Sequence, residues 1–465
     1  MVRHVLMLLM VVVLVSCVRF DDSQVVARAQ TAASKPVSRP ASRAARTRPA
    51  FKPAPLLCAF PPAPTSRPVT TAPAGQTEAI YRAALAWFDR AMPMVDTLVP
   101  VAESAVDRLL AGGTLWVGGN GGFADECDYR AGVFPFAKVW TGQQLEPNDV
   151  LLVGHFRPNE VDNRYASIQH VARGYGRRFG NSGMTVHLSG HAWPQIQRFL
   201  PGVNQRHWRN RLSLVDTGAP VGGDMASLCV GQMSATALGW VLHGEIIAAA
   251  TRRGKTLATY ASDWEPDGRK WDASVRGRHE HPKYKVPPIA AGKIGRQYLR
   301  ICRKQVADFL ATQPKQVRLA AKRMAGCMGN GGMVWAVMSG HILPRGALVP
   351  RELTGMKMFG RSYDWRSYAR RVPKSDLVLW IGYLRYPRGA AADARRRGHQ
   401  MVTVSVDDGP TDERLTHIRG CWKDFDTVID LPKYPIRVLP SSGVVQTPQW
   451  YALMAETLAA TAAKK

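Results

Sequence analysis

The sequence predicts an α/β protein made of two three-layer subdomains, each a parallel sheet with helices on both faces. Three observations carry this expectation. Short, unbroken apolar runs, such as residues 150–153 and 377–381, alternate with helix-length segments, the pattern of parallel strands buried on both faces. A glycine-rich turn at residues 118–122 follows an earlier short strand and precedes the run at 150–153. The order then recurs: residues 331–342 align with residues 112–123 without gaps, at an offset of 219.

With 46% hydrophobic and 21% charged residues, most of the 465-residue chain can bury a core, which excludes disorder throughout, and its length favours two domains. The excess of 62 Lys and Arg over 35 Asp and Glu sets a formal charge of +27. This suits an anionic ligand or surface.

Residues 1–17 read as a targeting segment. Arg3 and His4 precede an apolar run over residues 5–15, too short to span a bilayer as a helix and of the length of a signal-peptide core. The run ends on Leu14-Val15-Ser16-Cys17, which resembles the bacterial lipobox, whose cysteine accepts a diacylglyceryl group. The expectation is an exported protein of the cell envelope, anchored to the membrane through lipidated Cys17. Secretion after cleavage following Ala29, and an uncleaved anchor, are the alternatives.

Residues 18–76 hold ten prolines and nine basic residues against two acidic ones, so a stiff, basic, disordered tether is expected. Beside an anionic membrane each basic residue would contribute about 1 kcal/mol. An apolar island at residues 55–60 interrupts it.

The first folded unit is placed at residues 77–255. A helix starts at Thr77 with Ile80, Tyr81, Leu85 and Phe88 on one face, and a second runs to Leu110 with Gly112 as its stop. Strands at about 115–118, 150–153, 184–188 and 212–216 precede a long helix over 225–253. Residues 256–298 connect to a second unit, 299–465, with strands near 334–338, 377–381, 401–406 and 427–430 and a last helix over about 447–463. Six cysteines follow Cys17 without CxxC or zinc-ligand spacing; they permit disulfides, but four sit in apolar or helical contexts that suit buried thiols.

The turn Gly118-Gly-Asn-Gly-Gly122, followed by the strand Asn148-Asp-Val-Leu-Leu-Val153, resembles the sugar isomerase (SIS) domain family, phosphoheptose isomerases in particular. The second half resembles another SIS domain, and residues 239–255 are similar to the long helix that leaves an SIS sheet. The resemblance implies a tandem SIS fold and binding of phosphosugars or other carbohydrate derivatives, with aldose–ketose isomerisation in some members. Because SIS domains often pair through their long helices, the two halves pair within one chain or a homodimer forms.

A strand-to-helix glycine turn offers backbone N–H groups and a helix N-terminus to an anion. Gly119, Asn120, Gly121 and Gly122 are therefore candidate ligand residues, and a tight packing turn is the competing reading. After the second strands of the two halves, Arg157 and Arg385 fall at matching places, with His155 a further candidate in the first loop, and a guanidinium grips phosphate or carboxylate bidentately. Ser339, Gly340 and His341 occupy the second copy of the turn. Two departures weaken isomerase chemistry: the first turn ends in Phe123 where the family carries a serine, and neither second-strand loop has a hydroxyl cluster. Glu245, in a nearly all-apolar helix, is the candidate base, because burial raises a carboxyl pKa; a satisfied core carboxylate is the alternative. His243, two residues away, does not share its face.

His279 and His281 lack a third ligand, so no metal is expected, and no cofactor. Basic stretches at 206–211 and 395–397 match no nucleic-acid module and read as solvated faces. Three functions follow: an envelope protein binding an anionic sugar derivative between its halves, an aldose–ketose isomerase, and a non-catalytic scaffold whose cleft is filled by Phe123 and Phe156.

Overall fold

A computed structural model describes residues 57–58, 75–119, 123–127, 130–155, 183–189, 212–220, 224–263, 265–338, 353–361, 371–382, 385–422 and 426–463. The signal segment with Cys17, and all of the tether but residues 57–58 and 75–76, lie outside them.

The chain opens with β1 (Leu57–Cys58), α1 (Gln76–Ala91) and α2 (Met94–Leu110). β2 (Leu115–Gly119), α3 (Phe123–Glu126), β3 (Ala137–Val139), β4 (Val150–His155), β5 (Met184–Ser189), β6 (Leu212–Asp216) and α4 (Met225–Arg252) complete the first half. The connecting stretch carries α5 (Gly268–Val275). The second half runs through α6 (Lys293–Thr312), α7 (Pro314–Gly329), β7 (Val334–Met338), β8 (Met356–Arg361), β9 (Leu377–Ile381), α8 (Arg388–Arg397), β10 (Gln400–Ser405), β11 (Leu415–Arg419), β12 (Thr427–Asp430), β13 (Arg437–Pro440) and α9 (Ser442–Ala462).

Every pair in the two large sheets is parallel, and the two orders match. The first reads β3-β2-β4-β5-β6 with β1 added at the edge, the second β8-β7-β9-β10-β11. The sequence offset is therefore a duplicated topology. In register, Leu115 faces Val150 as Val334 faces Leu377.

Two placements differ from expectation. Leu57–Cys58, inside the segment expected to be tether, pairs in parallel with β6 and buries Cys58, so the apolar island docks as an edge strand. Residues 427–430 do not close the second sheet; they form an antiparallel pair with β13, and β11 takes the place matching β6. β11 reads as polar because Thr416 and His417 point into protein, where Thr403 Oγ1 lies 2.9 Å from His417 Nδ1 across the strands. The last helix begins at Ser442, earlier than its apolar run, because Asp426 Oδ1 accepts the amides of Ser441 (3.0 Å) and Ser442 (2.5 Å).

One contiguous apolar core runs through both halves. α4 packs on α1, α2, α6 and α9, and α9 also packs on α1 and α7. The long helices of the halves thus meet within one chain. α4 has the length and apolarity of a membrane span, yet its residues from Cys229 to Thr251 are all buried by surrounding protein, as in a central core helix.

Candidate functional site

In an open parallel sheet ligands bind beyond the carboxyl ends of the strands. In the first half these ends are Gly119 of β2 and Gly154–His155 of β4. Gly119 has φ +131°, and a Cβ there would lie 2.1 Å from the carbonyl oxygen of Gly154, its register partner; only glycine fits this crossing. Asn120, Gly121, Gly122, Arg157 and the side chain of His155 lie outside the described residues.

Phe123 opens α3 and is fully buried. A Cβ on Gly154 would lie 2.4 Å from its ring, and one on Gly239 of α4 3.0 Å away. The ring thus sits in a slot left by two glycines, directly over the end of β4. A phenyl fills the place where the resemblance expects a hydroxyl.

One turn further, Glu126 starts a buried charge cluster. Arg130 makes ion pairs with Glu126 and with Asp426 from the second half, and its Nη2 donates to Ser442 Oγ at 3.0 Å. Ser442 Oγ donates to Asp426 Oδ2 at 2.6 Å, and the Trp240 indole reaches Glu126 Oε1 at 3.4 Å. Two carboxylates therefore share one guanidinium in protein shielded from water. Burial pushes the Glu126 carboxyl up to about 7; Arg130 opposes that rise and the Asp426 charge adds to it. The cluster ties the helix after the glycine turn to the N-terminus of α9. Glu126, Arg130 and Asp426 were not singled out from the sequence, because Arg130 and Asp426 are 296 positions apart and neither belongs to a motif.

Glu245 is fully buried on α4. Its Oε2 accepts the Gly292 amide at 2.8 Å and its Oε1 the Gly295 amide at 2.9 Å, so it caps the N-terminus of α6. Burial raises its carboxyl pKa while the two amides pull it down. His243 points elsewhere, with Nδ1 2.9 Å from the Gly239 carbonyl and its ring against Phe134 and Trp240; burial holds the imidazole down at about 4.

In the second half, Ser339, Gly340 and His341 lie outside the described residues, just past the end of β7. Arg385 is exposed in the loop after β9. Within that strand end, Gly382 donates to the Val404 carbonyl at 2.9 Å and accepts from Gln446 Nε2 at 3.1 Å.

The remaining signals are structural. His279 Nε2 donates to the Gly113 carbonyl at 2.8 Å and its ring stacks on Phe136, while His281 Nδ1 accepts the amides of Lys283 and Tyr284. Among the described residues no group of three metal-ligating side chains converges. The six cysteines after Cys17 are free thiols, five of them buried.

No protein-family model matches the chain, and neither does any curated protein. Among solved structures the chain is similar to the C-terminal domain of glucosamine-fructose-6-phosphate aminotransferase from Francisella tularensis, at 9% identity and a TM-score of 0.47, covering 82% of this chain and 96% of that one. A candidate sugar-binding protein from Salmonella typhimurium LT2 matches at 9% identity and a TM-score of 0.44, covering 82% and 99%. A candidate phosphosugar isomerase from Silicibacter pomeroyi DSS-3 matches at 13% identity and a TM-score of 0.42, covering 84% and 98%. At such identities and TM-scores these likenesses carry no functional weight, and the fold rests on the duplicated strand order itself.

Proposed function

We propose that this is a tandem SIS-like protein that binds a phosphosugar or another anionic carbohydrate derivative at the carboxyl ends of its duplicated sheets. The observation that supports the reading is the repeated parallel strand order, because ligands of such sheets bind beyond the carboxyl ends of the strands, and β2 ends on Gly119 while Arg385 follows β9 in the chain. Backbone amides of residues 120–122 would hold the anion in the first half, with Arg157; Arg385, Ser339 and His341 would serve the second. The chain is exported and held at the membrane through Cys17, where the basic tether favours an anionic surface.

Titration calorimetry of the intact protein with glucose 6-phosphate, glucosamine 6-phosphate and muramic acid tests the reading. Binding that weakens in Asn120→Ala and Arg385→Ala supports it; no binding, or binding indifferent to both substitutions, overturns it.

A non-catalytic scaffold is the second reading, favoured by the burial of Phe123 over β4. Isomerisation with Glu245 as base ranks below both, because both carboxylate oxygens are engaged by backbone amides. Incubation with fructose 6-phosphate and glucose 6-phosphate separates them: interconversion abolished by Glu245→Gln would restore the enzyme.

A further inference from the structure

Away from the strand ends, a groove of about 500 Å³ opens between the connecting segment and the β12–β13 hairpin. This is the size of a small-molecule site. Trp271 and Tyr284 form an aromatic wall, and Glu265, Asp267, Asp430 and Arg437 supply the charges. The wall is preorganised: Trp271 Nε1 donates to the Thr259 carbonyl at 2.9 Å, and its ring lies 4.7 Å from His281, 5.6 Å from Tyr284 and 5.4 Å from Tyr434.

The charges do not cancel. Arg437 pairs with Asp430 at 3.1 Å, leaving the carboxylates of Glu265 and Asp267 in excess. Asp267 stands at the N-cap of α5 with φ +61°, but its side chain makes no capping hydrogen bond, so this carboxylate is not spent on the helix. Glu265 is half-buried; burial raises its carboxyl and the Arg437 charge lowers it only in part. A net negative groove stands out on a chain of +27.

We propose that this groove binds a small organic ammonium cation, with its charge between Glu265 and Asp267 and its apolar body against Trp271 and Tyr284. Aromatic faces attract such a cation and add nothing for a hard metal ion, which takes oxygen ligands throughout. An anionic ligand would meet three carboxylates against the one guanidinium of Arg437 among the lining residues. The site is separate from the strand ends and does not rest on the function proposed there.

The full chain is tested at pH 7 by calorimetry and saturation-transfer NMR with cyclohexylamine, protonated at that pH, against cyclohexanol, which has the same ring without the charge. The expected result is binding of the ammonium at least about tenfold tighter than of the alcohol. The Glu265→Gln/Asp267→Asn double variant, with an unchanged circular dichroism spectrum, is expected to lose that preference. Equal binding of the two probes, no binding of the ammonium, or a preference retained in the double variant would each overturn the proposal. Glu265→Gln alone, expected to weaken ammonium binding while leaving cyclohexanol unchanged, covers the case in which the double variant does not fold.

Discussion

Trp116 and Asp149 are joined by an indole N–H that donates to Oδ2 at 2.9 Å, and Trp335 and Asp376 repeat the bond at 2.7 Å in the second half. The other carboxylate oxygen also recurs in role: Asp149 Oδ1 accepts the Thr114 amide and Asp376 Oδ1 the Met333 amide. Lys138 and Lys357 lie over the two indole rings at 5.6 and 5.1 Å. In each half the start of the first central strand is thus tied to the start of its neighbour by the same side chains. Replacing either aspartate leaves half-buried donors without their acceptor, so Asp149→Ala and Asp376→Ala should each cost about 0.5–1.5 kcal/mol in urea unfolding, adding independently because they sit in different sheets. A silent Asp376→Ala would mean that the second tie is not holding its sheet.

Glu126 should make stability depend on pH. Its carboxyl is raised from 4.5 to about 7 in the folded protein, so between those values the folded state keeps a proton that the unfolded state releases. Stability is then fully present below pH 4.5 and is lost as pH rises to about 7. Glu126→Gln should flatten that slope, by on the order of 2–3 kcal/mol across the window. Thermal unfolding at pH 5 and pH 7.5 measures it, and identical slopes in the two proteins would refute the assignment.

The slot around Phe123 is a packing pair. Gly154→Ala should cost about 1–3 kcal/mol by overpacking and Phe123→Ala about 3–5 kcal/mol by leaving a cavity. Because the first clash requires the ring, the double variant should be less unstable than the sum. Strict additivity would show that the ring does not occupy the slot.

Glu245→Gln should lower the melting temperature without changing affinity for a sugar phosphate, since a glutamine cannot accept both the Gly292 and the Gly295 amides. Reduced affinity with unchanged stability would return Glu245 to the ligand site.

The duplication was legible because it is written locally. The Gly-rich segments carry Trp116 and Trp335 at matching positions, and Asp149 and Asp376 each stand just before the next strand. The helix over 225–253 was legible from composition alone. The edge strand at Leu57–Cys58 was hidden because two residues carry no periodicity, and β11 because its polar Thr416 and His417 find partners only after folding. The Glu126–Arg130–Asp426 cluster was beyond reach for the same reason: its members meet only when the two halves close on each other. Glu245 drew notice through its apolar helix, but the sequence does not reveal that glycine amides 47 and 50 positions later would occupy it.

The most direct measurement of the central claim is hydrogen–deuterium exchange of the intact protein with and without saturating glucosamine 6-phosphate. Ligand binding at the duplicated strand ends predicts slowed exchange over residues 119–123 and 382–386. Exchange unchanged in both segments, or protection confined to the groove around Trp271, would contradict it.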